Sequence, residues 1–342
     1  MTKLNLMFKR FSKFFIILII FVFLGWWIYS QLFVSLFKNS DEESIIFIVE
    51  QGEGLSNIAS NLKNQGFINS RILFTSYIFL KRDEGFLQAG QYSLSPLMSV
   101  SQIAQKILKG ETSENKITII EGWNLKNIAE YLEDKEIIQK EDFLNITDSL
   151  TIFIEEFSYL NDKPIKQGLE GYLFPDTYSV KITDNAKDII EMMLKNFDKK
   201  LTSDLRVEIE EQNKTIFEII IMASLLEKEV RGEEDKKIVS GIFWKRIANK
   251  YPLQSCATIA YALGKDKWRY SIEDTKIDSP YNTYQRLGLP IGPICNPGLE
   301  SIKAAISPEA TKFWYYLSTP EGETIFSKTL REHNIATAKY LK

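Results

Sequence analysis

Glu227, near the end of an apolar segment, is the residue of this sequence best placed for acid–base chemistry. Thr215 and Glu218 form a capping box, which predicts a helix over 216–229. At about 100° per residue, Glu227 shares a stripe with apolar residues of this helix, whereas Glu229 points to the opposite side. A carboxyl group that faces an apolar interior loses solvation, and this favours the protonated form that a general acid needs.

Two interpretations of Glu227 follow from this pattern. In the first, Glu227 is a general acid. In the second, it is a helix-end glutamate whose charge is paired with a buried arginine or lysine. Glu229, on the other face, is expected to form a surface pair with Arg231 or a neighbouring lysine.

The composition argues against several other kinds of chemistry. The net charge is −3 and no basic stripe is present, so nucleic acid is not an expected partner. The one histidine, His333, is accompanied by neither a nucleophile elbow nor an H-E-x-x-H motif. Cys256 and Cys295 are expected to be separate core residues, although they could pair if the fold brings them together. We therefore expect no metal site and no cofactor.

The beginning of the chain predicts a membrane anchor. Four basic residues within the first thirteen precede an apolar run that begins at Phe14 and continues through Leu36. Such a run is long enough to span a hydrocarbon core of about 30 Å. The charge bias predicts a cytoplasmic tail at 1–13, a transmembrane helix at 14–36 and an extracytoplasmic body. A cleaved signal peptide is the alternative, but the length of the run and the aromatic residues at 26, 27 and 29 favour an uncleaved anchor.

Two later segments are copies of one pattern. Residues 51–59 match residues 121–129 at a constant offset, with Gln51 aligned to Glu121 and Gly52 to Gly122. Each copy predicts a strand, at 45–49 or 117–120, then a glycine turn and two helices. In the first copy, a hairpin-like piece at 89–94 and a helix at 99–109 complete a compact unit. This unit, residues 45–112, resembles a LysM-like peptidoglycan-binding module; the alternative is a generic α/β packing module.

The rest of the chain combines helices with a loop-rich, aromatic segment. Helices are predicted at 186–199, 203–212 and 235–249. Tyr, Asn, Pro and Gly are concentrated between 279 and 298, which predicts a rigid loop of the kind that lines binding sites. Tyrosine faces and asparagine amides suit sugars. A structural Pro/Gly turn is the alternative interpretation.

Six segments, taken in order, resemble one known family. They are LEGYLFPDTY (169–178), MASLLEKEV (222–230), LQS (253–255) with Tyr261, YNTY (281–284), GLPIGPICNPG (288–298) and SIKAAISP (301–308). Their order is similar to that of the endolytic murein transglycosylases, the YceG-like family. Two positions depart from the family pattern: Cys256-Ala257 stands where Asp-Pro is common, and Ile291 replaces a second proline.

The resemblance implies an α+β protein in three parts: an N-terminal transmembrane helix, a LysM-like strand-helix-helix subdomain (45–112) and a mixed α/β catalytic domain (113–342). The last part would hold a second strand-helix-helix unit at 117–146 and a catalytic core at 165–342. The implied function is that of a cell-membrane enzyme that cleaves nascent peptidoglycan strands internally, at the bond from N-acetylmuramic acid to N-acetylglucosamine. Cleavage would leave 1,6-anhydro ends and terminate elongation. Membrane peptidoglycan synthases, the penicillin-binding proteins, are the implied partners.

The resemblance also assigns residues. Glu227 matches the family's catalytic glutamate, the first in its E-K-E motif. The candidate substrate-binding residues are Glu170, Asp176, Tyr281, Asn282, Tyr284 and Asn296. Two alternatives remain: a lysozyme-like hydrolase that uses the same glutamate, and a non-catalytic, membrane-anchored scaffold that binds peptidoglycan.

Overall fold

The structure is a computed structural model that describes residues 2–34, 44–81, 87–112, 115–181, 183–265, 267 and 270–341. Within these residues the chain forms a mixed α/β fold of thirteen α-helices and six short strands. The strands are β1 (Ile45–Val49), β2 (Gly90–Leu94), β3 (Asn115–Thr118), β4 (Thr177–Val180), β5 (Tyr315–Ser318) and β6 (Thr324–Ser327). The helices are α1 (Thr2–Phe33), α2 (Leu55–Asn64), α3 (Arg71–Lys81), α4 (Val100–Leu108), α5 (Leu125–Asp134), α6 (Lys140–Thr147), α7 (Ala186–Lys200), α8 (Ser203–Glu211), α9 (Ile216–Glu229), α10 (Glu233–Ala248), α11 (Cys256–Leu263), α12 (Leu299–Ile306) and α13 (Leu330–Tyr340).

The described residues divide into two compact units. The first comprises those of 1–115 and 179–183, and the second comprises those of 116–178 and 184–342. Residue 113, at which the second domain was predicted to begin, lies outside the described residues.

The first unit has the predicted order of strand, helix, helix and strand. β1 and β2 pair antiparallel, with Phe47 opposite Tyr92. Both side chains are fully buried, because alternate residues of a strand face the core. The segment predicted as a hairpin-like piece is therefore β2, and its partner is β1. Helices α2, α3 and α4 supply the rest of this core, including Ile58, Phe74 and Ile103.

Helix α1 carries exposed apolar side chains from Phe15 to Phe33. Even so, no helix among the described residues combines the length and the apolar character required to cross a membrane. The structure therefore does not support the transmembrane helix predicted at 14–36, whose last two residues lie outside the described part of the chain.

The second unit is arranged around α9. Thr215 and Glu218 make the predicted capping box, with the Glu218 N–H donating to Thr215 Oγ1 at 3.1 Å and the Thr215 N–H donating to Glu218 Oε2 at 2.9 Å. Every residue from 219 to 226 is buried, because the helix is apolar on all sides and is packed by α8, α10, α11 and α12. Strand β5 pairs with β6 within this unit, and β3 pairs with β4.

The helix α9 begins and ends at the predicted residues, and the other helices of this region differ by one or two residues at their ends. The helix predicted at 235–249 is α10, which already begins at Glu233. Three acidic residues in its first turn favour this earlier start, since the N-terminus of a helix stabilises negative charge. The strand predicted at 117–120 is β3, which ends at Thr118.

Candidate active site

Glu227 points into the protein from the last turn of α9, as its position on the helix predicted. Its Oε2 atom accepts hydrogen bonds from the Gly298 N–H at 2.9 Å and from Ser301 Oγ at 2.6 Å. Its Oε1 atom lies 3.5 Å from Lys236 Nζ, and the two side chains are 9% and 4% exposed. Because Gly298 is the N-cap of α12, the carboxylate also lies at the N-terminus of that helix.

The surroundings of the Glu227 carboxylate are polar, contrary to the apolar interior that we expected. The alternative interpretation, a helix-end glutamate paired with a buried lysine, describes the contact with Lys236. Donors of this kind stabilise a charged carboxylate.

The glycine turn of the second copy packs against Glu227. A Cβ placed at Gly122, where φ is +81°, would lie 3.6 Å from Glu227 Cγ. The Gly122 N–H donates to Asn296 O at 2.9 Å, and the Asn296 N–H donates to Trp123 O at 2.8 Å. These two backbone bonds join the turn 121–123 to the loop that leads into α12.

Glu121, the first residue of this turn, approaches Gly298 from another side. A Cβ placed at Gly298 would lie 2.0 Å from Glu121 Oε1, so the carboxylate rests against the backbone that donates to Glu227. Burial raises the pKa of Glu121, the charge of Glu227 raises it further, and Lys236 lowers it. We did not predict Glu121 as a site residue. The signal in the sequence was its alignment with the uncharged Gln51 in the first copy.

The prediction of a surface pair for Glu229 is wrong. Ser255 Oγ donates to its Oε1 atom, and Tyr316 OH donates to its Oε2 atom at 2.9 Å. Burial raises the pKa of the Glu229 carboxyl. The outward face of α9 at this point is covered by the start of α11 and by β5, so facing away from Glu227 does not mean facing solvent.

A cavity of about 800 Å³ opens at the carboxyl end of α9. This volume lies within the usual range of ligand pockets. Its walls include Glu227 and Glu229, the basic side chain of Arg231, and the hydroxyls of Ser318 and Thr319. The cavity therefore brings the buried carboxylate together with groups that can bond sugar hydroxyls.

None of the six candidate substrate-binding residues lines this cavity. Glu170 is buried: both its oxygens accept from the Leu125 N–H at 3.2 Å, and Tyr261 OH donates to it at 3.3 Å. Burial raises its pKa to about 7, and the bond from Leu125 and the charge of Lys163 oppose that rise. Glu170 thus joins the start of α5 to the LEGYLFPDTY segment.

The two candidate asparagines are fully buried, and their amides are already bonded. Asn282 Nδ2 donates to the carbonyls of Thr275 and Ile277 at 3.0 and 2.7 Å, and its Oδ1 accepts from the Tyr284 N–H at 2.9 Å. This arrangement leaves its amide no free group for a sugar and corresponds to the structural-turn alternative.

Asn296 is bonded in the same way. Its Oδ1 accepts from the Leu173 N–H at 2.9 Å, and its Nδ2 donates to Trp123 O at 3.0 Å and to Glu170 Oε1 at 3.4 Å. It therefore links the turn 121–123 to the LEGYLFPDTY segment.

The two candidate tyrosines are partly buried. The ring of Tyr281 packs on Tyr261 with 4.7 Å between centroids. The hydroxyl of Tyr284 lies 3.0 Å from Cys256 Sγ. Both rings keep some exposed surface, as stacking on a sugar requires.

Asp176 has contacts away from Glu227. Its oxygens accept from Asn196 Nδ2 at 3.0 Å and from the Thr177 N–H at 2.8 Å, and Lys200 Nζ lies 3.5 Å away. The bond from Asn196 is the main reason that the pKa of Asp176 is lowered. Asp176 therefore fastens the start of β4 to α7.

Neither cysteine is in a disulfide: Cys295 is buried, as expected, whereas Cys256 is exposed. In the described part of the chain, no group of three or more His, Cys, Asp and Glu side chains is placed to hold a metal ion.

Comparisons with known proteins agree with the resemblance seen in the sequence. The model of the YceG-like family matches residues 47–339. An endolytic murein transglycosylase of Bacillus subtilis is 36% identical over 327 residues, which are 93% of this chain and 90% of that protein. One from Streptococcus pneumoniae is 32% identical over 86% of this chain and 58% of that protein. The crystal structure of a YceG-like protein from Listeria monocytogenes, 35% identical, superposes with a TM-score of 0.61 and covers 86% of this chain and 100% of its own.

Proposed function

Because the chain belongs to the YceG-like family, we propose that it is an endolytic transglycosylase of peptidoglycan strands, with Glu227 as acid and base. The names of its relatives support the reaction class. The observation that carries the assignment to Glu227 is its position: a largely buried carboxylate, oriented by two hydrogen bonds, in the wall of a cavity of about 800 Å³.

The proposed reaction needs one carboxyl group and no water. Protonated Glu227 donates its proton to the oxygen between N-acetylmuramic acid and N-acetylglucosamine, and the bond from that oxygen to the muramoyl C1 breaks through an oxocarbenium-like transition state. The muramoyl C6 oxygen then bonds to C1 while its proton passes to Glu227. The products are a 1,6-anhydro end and a free hydroxyl, and Glu227 is protonated again. An internal nucleophile held near C1 makes an activated water unnecessary.

The surrounding residues serve this reaction by orientation. Gly298 N–H and Ser301 Oγ both bind Oε2, which directs the remaining oxygen of Glu227 toward Lys236 and the cavity. A carboxyl group fixed in this way does not have to be ordered when the substrate binds. Ser318, Thr319 and Arg231, which line the cavity with Glu227, are the side chains that we propose to bond the glycan.

Two further parts of the proposal concern the first unit and α1. The strand-helix-helix-strand order of the first unit supports glycan contact by a LysM-like module. The exposed apolar side chains of α1 support attachment to the cell membrane, with the body outside the cytoplasm and beside the synthases that make nascent strands. Recovery of the full chain in the membrane fraction, and its extraction by detergent but not by salt, would support the attachment. Recovery in the soluble fraction would contradict it.

The Glu227→Gln variant tests the catalytic role. It keeps the size of the side chain and removes the transferable proton, so we expect strand cleavage to fall by about 10² to 10⁴-fold. Glu234→Gln is the matched control, since Glu234 is an exposed glutamate of the neighbouring helix α10, and it should keep full activity. Full activity in Glu227→Gln would exclude the proposed acid, and an unchanged cellular effect of that variant would favour the scaffold alternative.

A further inference from the structure

The wall of the cavity at the end of α9 carries charges of both signs. Two of its side chains are acidic, Glu227 and Glu229, and two are basic, Lys228 and Arg231. Both basic side chains are exposed, whereas both acidic side chains are partly buried. The four groups also differ in whether the protein already supplies a partner, and this difference indicates what the cavity can bind.

The two carboxylates have their partners inside the protein. Glu227 Oε1 lies 3.5 Å from Lys236 Nζ. Glu229 accepts hydrogen bonds from Ser255 Oγ and from Tyr316 OH. None of these three described partner residues lines the cavity. The negative charges of the wall are therefore stabilised from the protein interior.

Lys228 and Arg231 are not paired in this way. Among the described residues, neither side chain forms a salt bridge or a hydrogen bond. Lys228 Cδ lies 3.5 Å from the position of a Cβ placed at Gly122, and Glu227 Cγ lies 3.6 Å from the same position. The Lys228 side chain therefore runs close to that of Glu227, and its charge is available to a ligand of the cavity.

The helix dipole explains only one of the two basic residues. Lys228 is in the last turn of α9, where a cation stabilises the carboxyl end of a helix. Arg231 lies beyond that turn, because α9 ends at Glu229, and the effect of the dipole falls off within the last turn. An unpaired guanidinium in a cavity wall is suited to a carboxylate, which it can bind with two parallel N–H groups.

We propose that Lys228 and Arg231 bind a carboxylate of the peptide stem on the substrate strand, so that the cavity selects peptide-bearing strands. This inference rests on the proposed function and names the substrate of the same site. The stem is attached through a lactyl group to C3 of N-acetylmuramic acid, the ring whose C1 reacts beside Glu227. The stem thus leaves the sugar next to the reacting carbon, and both basic side chains share a cavity wall with Glu227.

A nascent strand carries a second kind of anion, the pyrophosphate that joins its end to a lipid. This group fits the cavity less well than a stem carboxylate. The relatives of this chain are named endolytic enzymes, and a cut inside a strand lies away from the strand's end. A stem is attached to each muramoyl residue of a newly made strand, so its carboxylates are present at every internal cut.

Cleavage of two substrates by the full-length protein tests this inference. One is a peptide-bearing strand, and the other is the same strand after its stem carboxylates are converted to neutral amides. The wild type should cleave the first with a kcat/KM about 3–10-fold higher, as expected for a partly exposed charge pair that includes arginine. Arg231→Gln should lose this preference and cleave the amidated strand as the wild type does.

Three further variants sharpen this test. Arg231→Lys keeps the charge without the two parallel N–H groups, so it should keep part of the preference. Lys228→Gln should reduce the preference as well. Arg331→Gln is the matched control, since Arg331 is an exposed arginine of α13 that does not line the cavity, and it should keep the whole preference.

Binding by the Glu227→Gln variant separates this inference from the proposed function. Fluorescence anisotropy of labelled strands should show the same preference for charged stems in Glu227→Gln, and its loss when Arg231→Gln is added. Equal binding of the two substrates by Glu227→Gln would overturn the inference. Absence of cleavage of both substrates by the wild type would instead overturn the proposed function, and the binding preference would still decide the inference.

Two further results would overturn the inference and leave the role of Glu227 intact. An equal loss of cleavage on both substrates in Arg231→Gln would make Arg231 a ligand of the sugar. A preference that depends on a lipid pyrophosphate at the end of the strand, and is unchanged when the stem carboxylates are amidated, would assign the basic residues to that group.

Discussion

The two copies of the strand-helix-helix pattern share a glycine turn and surround it differently. The two glycines have nearly the same φ, +79° at Gly52 and +81° at Gly122. Among the described residues, no heavy atom lies within 4 Å of a Cβ placed at Gly52, whereas at Gly122 that position faces Glu227 and Lys228. The same sequence pattern thus gives the same local conformation twice, and only the second turn lies beside Glu227, the proposed catalytic residue.

The bonds that hold the two turns differ as well. In the first copy, Glu53 Oε1 accepts from Asn61 Nδ2 at 2.7 Å, and both residues belong to that copy. In the second, the turn is bonded to Asn296, more than 170 residues later in the chain. The repeated pattern therefore encodes the turn, and long-range packing places the second turn beside Glu227.

We expect the largest effect from Asn296→Ala, which removes a partner of the turn in the second copy, and we compare it with Asn61→Ala in the first copy. Asn296→Ala leaves the Leu173 N–H without its acceptor in a buried site, so we expect it to lower the free energy of unfolding by roughly 2–4 kcal/mol and to reduce cleavage. Asn61→Ala removes an exposed bond and should cost no more than about 0.5 kcal/mol. Urea unfolding of the two variants measures both costs. Equal costs would mean that the second turn is no more firmly held than the first.

A second prediction compares the hydrogen bonds at the N-termini of helices α5 and α2. The N–H of Leu125, the first residue of α5, donates to buried Glu170. In α2, by contrast, the N-cap residue is Gly54, and no side chain caps the helix. Because burial raises the pKa of Glu170 from 4.5 to about 7, its contribution to stability is present below pH 4.5 and is lost as pH rises toward 7. The shift corresponds to roughly 3 kcal/mol.

Glu170→Gln should abolish this part of the pH dependence, and urea unfolding at pH 4.5, 5.5 and 6.5 measures it. The opposite contribution of Lys163, whose pKa burial lowers from 10.5 to about 7, operates above that range. Identical pH profiles in Glu170→Gln and the wild type would show that Glu170 does not titrate in this window.

The smallest effect concerns the turns themselves. Alanine at a positive φ costs about 1 kcal/mol, so Gly52→Ala and Gly122→Ala should lower the unfolding free energy by similar amounts. Only Gly122→Ala should also slow cleavage, by roughly 3–10-fold, since a relaxed turn displaces the groups beside Glu227. Equal cleavage rates of the two variants, per amount of folded protein, would contradict a role of the second turn in cleavage.

Local signals explain what the sequence predicted correctly. The capping box and the apolar run were sufficient to define α9, and a short apolar run ahead of a glycine turn was sufficient to define β1. Helical periodicity also placed Glu227 and Glu229 on different faces. It did not predict which face is exposed to solvent, because Glu229 is covered by Ser255 and Tyr316, which are distant in the sequence.

The rest of the site depends on contacts between segments far apart in the chain, which no local sequence pattern predicts. The place of Glu121 beside Gly298 depends on the meeting of two loops far apart in the chain. Residue type did not predict the contacts of Asn282 and Asn296, because an amide that suits a sugar also suits the unpaired backbone groups of a tight loop.

The new ends formed by strand cleavage distinguish the proposed transglycosylase reaction from hydrolysis. Purified glycan strands should be digested by the wild type, by Glu227→Gln and by a lysozyme, and the new ends identified by mass spectrometry. We expect 1,6-anhydro-muramoyl ends from the wild type, lighter by one water than the lysozyme products, and almost no new ends from Glu227→Gln. Reducing ends from the wild type would contradict this expectation and would identify the enzyme as a hydrolase.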